Sequence, residues 1–225
     1  MIKRLMVPLD GSHLAESALS AAAHLAAALH AEVMLFHAIE RNAPHEIHGD
    51  RHMTSAEEGR DYLAEIARRF FVDVAVEYHV HSVAVEDVAR CIVDHADELH
   101  VDLIVMCTHG TGGLRSWLFG SIAQQVIARG ATPLLLIQPS GAGTAPRFEC
   151  RRMLAPLDGD PDHEHGLPVA VELARICGAE IHLLVAVHTL QTLTRERAAT
   201  ATLLPGATAT LLDLTQQGAQ ARGEG

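Results

Sequence analysis

Short apolar segments and amphipathic helical patterns alternate strictly along residues 1–139 of this 225-residue chain. The apolar segments lie at residues 5–10, 33–39, 72–81, 103–106 and 134–137, and the helical patterns lie at residues 13–30, 54–71, 85–100 and 121–129. Strands connected by helices run in the same direction, pair in parallel and are covered on both faces. The alternation therefore predicts an α/β fold with an open five-stranded parallel sheet and helices on both faces. In such sheets, ligands bind beyond the carboxyl ends of the strands.

The later part of the chain repeats its beginning. Leu154-Ala-Pro-Leu-Asp-Gly159 matches Met6-Val-Pro-Leu-Asp-Gly11 at an offset of 148 residues, and the same offset aligns Ala31-Glu32 with Ala179-Glu180. One ungapped offset over such a span indicates a second copy of the unit. Counterparts of the third, fourth and fifth strands are missing from that copy. We predict a first domain at residues 1–139, a linker at residues 140–150 and a partial second domain at residues 151–225.

Charge and composition limit the classes of partner. The formal net charge is −11, and the basic side chains are sixteen arginines and one lysine scattered along the chain. Nucleic acid and anionic membrane surfaces are therefore not expected as partners. The four cysteines have no C-x-x-C spacing, which predicts reduced thiols. Apolar runs are far shorter than the roughly 18 residues that a membrane span needs, so we expect a cytoplasmic protein.

A glycine-punctuated turn is predicted after the fourth apolar segment. It reads Met106-Cys-Thr-His-Gly110, and nine residues separate it from Gly120-Ser121, which opens a helical pattern. Because glycine has no Cβ, backbone amides can close on a phosphate there, and the amides that open the helix add a positive dipole. The segment predicts an anion or nucleotide cradle. It contains no lysine, and the chain has no Walker A sequence or Gly-x-Ser-x-Gly elbow, which favours binding over turnover.

Several polar residues have both a functional and a structural interpretation. Asp10 is either an acceptor for a ribose hydroxyl or a turn residue in Asp-Gly-Ser. Cys107 is either a reactive thiol or, as we favour, a small filler. We interpret His37, within an apolar strand, as structural, with its ring bonded to the backbone. The histidines at residues 45–52 show neither H-E-x-x-H nor zinc-finger spacing, so no metal site is predicted.

Together these segments resemble the universal stress protein family. The resemblance rests on Val7-Pro-Leu-Asp-Gly-Ser12, His37-Ala38, Thr108-His-Gly110 with its spacing to Gly120-Ser121, and Thr132-Pro-Leu-Leu-Leu-Ile137. It covers residues 1–139 and, as a partial tandem copy, residues 151 to about 190. It implies a sheet order of 3-2-1-4-5 and a homodimer. We expect the apolar strand at residues 134–137 to contribute to that dimer, since an apolar edge strand associates readily.

The resemblance also implies a ligand. Nucleotide-binding members carry the pattern G-x2-G-x9-G-[S/T], which Gly110, Gly120 and Ser121 match, whereas Cys107 stands at the first glycine position. The implied ligand is ATP, alone or with Mg²⁺, with Asp10 and the Ala38 backbone toward ribose and adenine. The implied site residues are Pro8, Asp10, Ala38, Met106, Cys107, Gly110, Gly120, Ser121 and Ile122.

One principal hypothesis and two alternatives follow. The principal hypothesis is an ATP-binding stress-response protein in which nucleotide occupancy changes contacts in a dimer or with an unidentified protein partner. The first alternative is a protein-interaction module of the same fold that works without nucleotide, a branch that the departure at Cys107 keeps open. The second is a weak ATP hydrolase; we otherwise expect no enzymatic activity.

Overall fold

The computed structural model describes residues 2–43, 46–47, 49–108, 121–139, 148–158, 160 and 164–185. The chain divides into two compact units, Met1–Glu149 and Cys150–Gly225. None of the described helices is long and apolar enough to cross a membrane.

The first unit is built on a five-stranded parallel sheet. Its strands, together with a short antiparallel hairpin formed by β3 and β4, are β1 (Arg4–Pro8), β2 (Glu32–Glu40), β3 (Glu46–Ile47), β4 (Asp50–Arg51), β5 (Val76–Val85), β6 (Leu103–Cys107) and β7 (Leu134–Ile137). The sheet order is β5-β2-β1-β6-β7, which is 3-2-1-4-5 when only the strands of the sheet are counted. The predicted fold class and strand order are confirmed.

Helices connect the strands of the sheet. A 3-10 turn (Ala15–Ala18) leads into α1 (Leu19–Leu29), and α2 (Ala56–Phe70), α3 (Val88–Glu98) and α4 (Ser121–Arg129) follow. Ser55 caps α2: its Oγ accepts a hydrogen bond from the Glu58 amide at 3.2 Å. This bond satisfies an amide that the first helical turn leaves without a partner. Glu58 Oε2 accepts a hydrogen bond at 3.2 Å from the amide of Thr54, the residue before the cap.

The core lies on the two faces of the sheet. On one face, Met6, Met34 and Phe36 pack in a single buried cluster with residues of α3 and α4. Successive strand residues point to opposite faces, so the buried residues Leu5 and Leu35 belong to the other face, where β1 and β2 contact α1 and α2. Apolar residues at consecutive positions are what a strand buried on both faces requires.

The structure differs from the expected elements in four places. Residues 41–53, which lie outside the expected strands and helices, contain the β3–β4 hairpin, and the helix expected from residue 13 begins as a 3-10 turn at Ala15. The third strand of the sheet lies at Val76–Val85 instead of residues 72–81, because Asp73 has a left-handed backbone conformation (φ 64°) that no extended strand contains. β6 ends at Cys107, one residue beyond the strand expected at residues 103–106.

The second unit contains β8 (Arg152–Leu157), α5 (Gly166–Cys177) and β9 (Glu180–Val185) among its described residues. β8 and β9 are parallel, with Arg152 opposite Glu180. In the first unit, Arg4 is opposite Glu32, so the register repeats at the 148-residue offset seen in the sequence. Residues 140–147 and 186–225 lie outside the described residues, and the assignment of a linker and a partial second domain stays a prediction.

Candidate functional site

A cleft lies at the carboxyl ends of β1, β2 and β6 in the first unit. It has about 710 Å³ of empty space, including the part open to solvent. The winding of the sheet reverses between β1 and β6, and open α/β sheets bind ligands at such a reversal. Its lining residues are Pro8, Leu9, Asp10, Ala15, Phe36, His37, Ala38, Glu40, His52, Val88, Ile92, Met106, Cys107 and Ile122.

The cleft brings together six of the nine site residues expected from the sequence: Pro8, Asp10, Ala38, Met106, Cys107 and Ile122. Gly110 and Gly120 lie outside the described residues. Ser121 is the first residue of α4, and its side chain is not among those described. The described part of the site is thus the part expected to face ribose and adenine.

Asp10 forms an Asx turn immediately after β1. Its Oδ1 accepts hydrogen bonds from the Ser12 amide at 2.9 Å and from the Ser12 hydroxyl at 2.7 Å. Ser12 Oγ in turn accepts one from the Ala15 amide at 3.1 Å, at the first residue of the 3-10 turn. Within the described part of the chain, Asp10 Oδ2 accepts no hydrogen bond. The structure thus shows the turn interpretation of Asp10, and its contact with a ribose hydroxyl stays a prediction.

The conformation of this turn requires glycine. Gly11 has φ +91°, and a Cβ there would lie 3.0 Å from Met53 Cε. Side chains larger than hydrogen are disfavoured at this φ, so Gly11 allows the chain to reverse between Asp10 and Ser12. The turn aims the Asp10 carboxylate at the cleft.

His37 is buried at the base of the cleft. Its Nδ1 donates a hydrogen bond to the Leu9 carbonyl at 2.7 Å, as the structural interpretation expects. Its Nε2, however, has no partner among the described residues. Burial lowers the pKa of His37 against the opposing effect of the Leu9 hydrogen bond, so the ring is neutral and Nε2 is an acceptor. α2 packs closely against the His37 ring at Gly59. A Cβ at Gly59 would lie 3.0 Å from His37 Cδ2, so this close contact needs a glycine.

His52 reaches the cleft from the segment after the β3–β4 hairpin. It is 4% exposed, and neither ring nitrogen has a partner among the described residues. The hairpin is attached to the start of the helical region by Asp50, which accepts hydrogen bonds from the His13 amide and ring Nδ1, each at 2.8 Å. Nothing in the sequence indicates a functional role for His52, because it lies in a polar segment between predicted elements. The structure shows that the His52 side chain is buried and lines the cleft.

Met106, Cys107 and Ile122 form the side of the cleft below α4. Cys107 is buried, and burial raises the pKa of its thiol to about 12. A thiol in that state is not a nucleophile at neutral pH. Burial and the raised pKa therefore favour the interpretation of Cys107 as a small filler over its interpretation as a reactive thiol.

The family model described as Universal stress protein family matches residues 1–138. This chain belongs to the universal stress protein family. Universal stress protein MJ0531 of Methanocaldococcus jannaschii is 31% identical over 148 residues, covering 61% of this chain and 83% of that protein.

Two solved structures are similar to this chain, and the first of them shows the same fold. A protein of unknown function from Pseudomonas aeruginosa PAO1 is 16% identical and covers 98% of this chain and 69% of that chain, with a TM-score of 0.65. A universal stress protein from Archaeoglobus fulgidus, solved in complex with dAMP, is 24% identical and covers 61% of this chain and 98% of that chain, with a TM-score of 0.42.

In this universal stress protein, the cleft also contains residues that the family motifs do not mark. Phe36, Val88 and Ile92 give it an apolar wall, and Glu40 adds a second carboxylate. The apolar wall follows from the fold: Phe36 lies in the middle of β2, and Val88 and Ile92 lie four residues apart on α3, a spacing that places them on one helical face. Such residues are indistinguishable from core residues in the sequence.

Proposed function

We propose that the first unit binds an adenine nucleotide, with ATP favoured, in the cleft between β1 and β6. One observation carries the proposal. The described residues that the family resemblance assigns to nucleotide, although scattered between Pro8 and Ile122 in the sequence, line a single cleft at the reversal point of the sheet.

The composition of the lining supports one orientation of the ligand. Apolar side chains, among them Phe36 and Ile92, suit a purine ring, and Asp10 Oδ2 is placed to accept a ribose hydroxyl. Phosphates would be repelled by Asp10 and Glu40. They belong instead toward the start of α4 at Ser121, where the helix amides favour an anion.

The same lining supports binding over hydrolysis. The described lining residues include no lysine or arginine, whereas phosphoryl transfer relies on cations or metal ions that stabilise the developing charge. We therefore propose that the protein binds ATP, alone or with Mg²⁺, and is not an enzyme. We further propose that it is a cytoplasmic stress-response protein that forms a homodimer. Bound ATP would change contacts within the dimer or with a protein partner. β7 lies at one edge of the sheet, as a dimer contact through that strand would need.

Calorimetric titration of ligand-free protein with ATP and Mg²⁺ tests the proposal. The informative variant is Asp10→Asn, because the amide oxygen can still accept the Ser12 hydrogen bonds while the charge and the second carboxylate oxygen are lost. We expect its affinity to fall at least tenfold, about 1.4 kcal/mol. Light scattering on the same samples, with and without ATP, reports whether occupancy changes the assembly.

Asp158→Asn is the matched control. Asp158 Oδ1 accepts a hydrogen bond from the Asp160 amide at 2.9 Å, which is the equivalent turn in the second unit. This variant should bind ATP like the wild type. If neither the wild type nor Cys107→Gly, which restores the family pattern, binds millimolar ATP, the nucleotide proposal is wrong and the interaction module that works without nucleotide takes its place.

A further inference from the structure

Three histidines, none of which is among the cleft-lining residues, meet on the face of the sheet that α3 covers. His79 and His81 are two residues apart on β5, so their side chains lie on the same face, and His95 of α3 lies against both. The His95 ring centroid is 5.0 Å from that of His79 and 5.0 Å from that of His81. One potential ligand atom from each residue lies within 4.8 Å of those of the other two.

The proton on the His95 ring is fixed by its own helix. His95 Nδ1 is 2.8 Å from the Cys91 carbonyl oxygen, four residues earlier. Because a carbonyl only accepts, Nδ1 carries the proton and Nε2 carries the lone pair. Metal-binding histidines are commonly oriented in this way, with one ring nitrogen bonded to a backbone carbonyl and the other on the metal.

A carboxylate lies near the cluster. Glu98, the last residue of α3, is close enough to act electrostatically on His79. Its negative charge would favour a cation bound by the three rings.

We infer that His79, His81 and His95 bind a divalent transition-metal ion, for which Zn²⁺ fits best, with the fourth position taken by water. Three imidazoles and a water are a known tetrahedral zinc set, with Zn–N near 2.0–2.1 Å and hence nitrogens about 3.3 Å apart. Coordination would therefore bring the three ligand atoms closer than their present separations of up to 4.8 Å. Imidazole also suits Cu²⁺ and Ni²⁺, so these ions are competitors in the test.

The site would join an edge strand to a helix. β5 is at the end of the sheet opposite β7, and α3 supplies Val88 and Ile92 to the cleft. The Phe36 ring, which also lines the cleft, stacks on His79 at 5.9 Å and lies 4.9 Å from His95. A bound ion would therefore hold β5 and α3 together around Phe36. Its main effect would be to stabilise this part of the fold.

The test uses full-length protein with any affinity tag removed and metals stripped by a chelator. Titration with Zn²⁺ should show one ion per chain with a dissociation constant in the micromolar range or below, and Co²⁺ should give the visible absorption of a tetrahedral site. His81→Ala and, separately, His95→Gln should each weaken Zn²⁺ binding at least tenfold and abolish the Co²⁺ absorption. Circular dichroism identifies any variant that fails to fold, in which case the other variant decides.

The matched control is the double variant His45→Gln/His48→Gln, which removes two histidines of the histidine-rich segment 45–52. It should bind Zn²⁺ with wild-type affinity. The inference is overturned if the wild type takes up no Zn²⁺ in the micromolar range, if binding survives both cluster variants, or if it is lost in the control instead. Tighter binding of Cu²⁺ or Ni²⁺ than of Zn²⁺, with a square-planar spectrum, would overturn the assignment to zinc.

Discussion

At the residue scale, His37 illustrates how a buried polar group can serve both fold and site. Its Nδ1 is used by the fold, through the Leu9 carbonyl, and its Nε2 has no partner among the described residues. A buried polar atom without a partner costs free energy. A ligand hydroxyl or amino group that donates to Nε2 would recover that cost, which gives the cleft a preference for ligands with a donor at this depth.

The lowered pKa of His37 predicts a pH dependence of stability. Unfolded histidine titrates near pH 6.5, and the folded state resists protonation of His37 because burial lowers its pKa. The unfolded state therefore binds more protons as the pH falls below about 6.5, and the stability that neutral His37 provides above this pH is lost. The lowered pKa of His79 acts in the same direction.

We expect the free energy of unfolding to decrease between about pH 7 and pH 5.5, by at most about 1.4 kcal/mol per pH unit for one histidine. His37→Gln should show a shallower decrease, and His24→Gln, which replaces a histidine of α1 that is not among the cleft-lining residues, should keep the wild-type slope. Urea unfolding at several pH values measures these slopes. Equal slopes in His37→Gln and the wild type would show that His37 is not responsible.

At the element scale, α2 is held by one buried face. Leu63 and Ile66 are 0% and 1% exposed, whereas Val72, just beyond the helix, is 73% exposed. Ile66 is three positions after Leu63, and this spacing places both on the side of the helix that faces the sheet. The stability of the helix in the fold depends on this face, because isolated helices of this length are marginal in water.

Leu63→Ala should lower the free energy of unfolding by about 2–5 kcal/mol, since it removes buried methyl groups and leaves a cavity. Val72→Ala, which also shortens an aliphatic side chain, should change it by no more than about 0.5 kcal/mol because the side chain is exposed. Urea unfolding followed by circular dichroism compares the two variants with the wild type. Similar losses in both would mean that α2 is not packed as described.

Periodicity predicted the elements well where burial alone decides the pattern. Residues 121–129 and 134–137 were expected as a helix and a strand and have those bounds as α4 and β7. β5 was misplaced by four residues at each end because none of its residues is fully buried, and a left-handed Asp73 precedes it. An apolar pattern cannot locate a strand whose neighbours are equally apolar.

The candidate site was predictable only as far as its motifs reached. Family motifs located Asp10 and Ala38. His52 also lines the cleft, but it belongs to no family motif and follows the β3–β4 hairpin, which the sequence did not predict. The His79, His81 and His95 cluster joins a strand to a helix fourteen or more residues later. No fixed spacing describes such a pair of elements, so a search for metal-ligand motifs in the sequence passes over it.

At the scale of the whole molecule, the two units differ in how much apolar surface they bury. In the first unit, both faces of the sheet are packed under helices. Among the described residues of the second unit, Ala174 is the one buried apolar residue, and Leu154, Leu183 and Leu184 are 64%, 46% and 51% exposed. The pairing of β8 with β9 nevertheless repeats the register of β1 with β2.

This difference predicts unequal autonomy. Residues 1–149 expressed alone should unfold cooperatively with the same urea midpoint as the main transition of the full chain, and should keep its affinity for ATP. Residues 150–225 alone should show no cooperative transition, because two parallel strands and one helix bury too little surface to offset the loss of chain entropy. Circular dichroism and urea titration of the two fragments, with the full chain as control, measure both outcomes. A cooperative transition in residues 150–225 would show instead that the second unit has a core of its own, completed by residues beyond Val185.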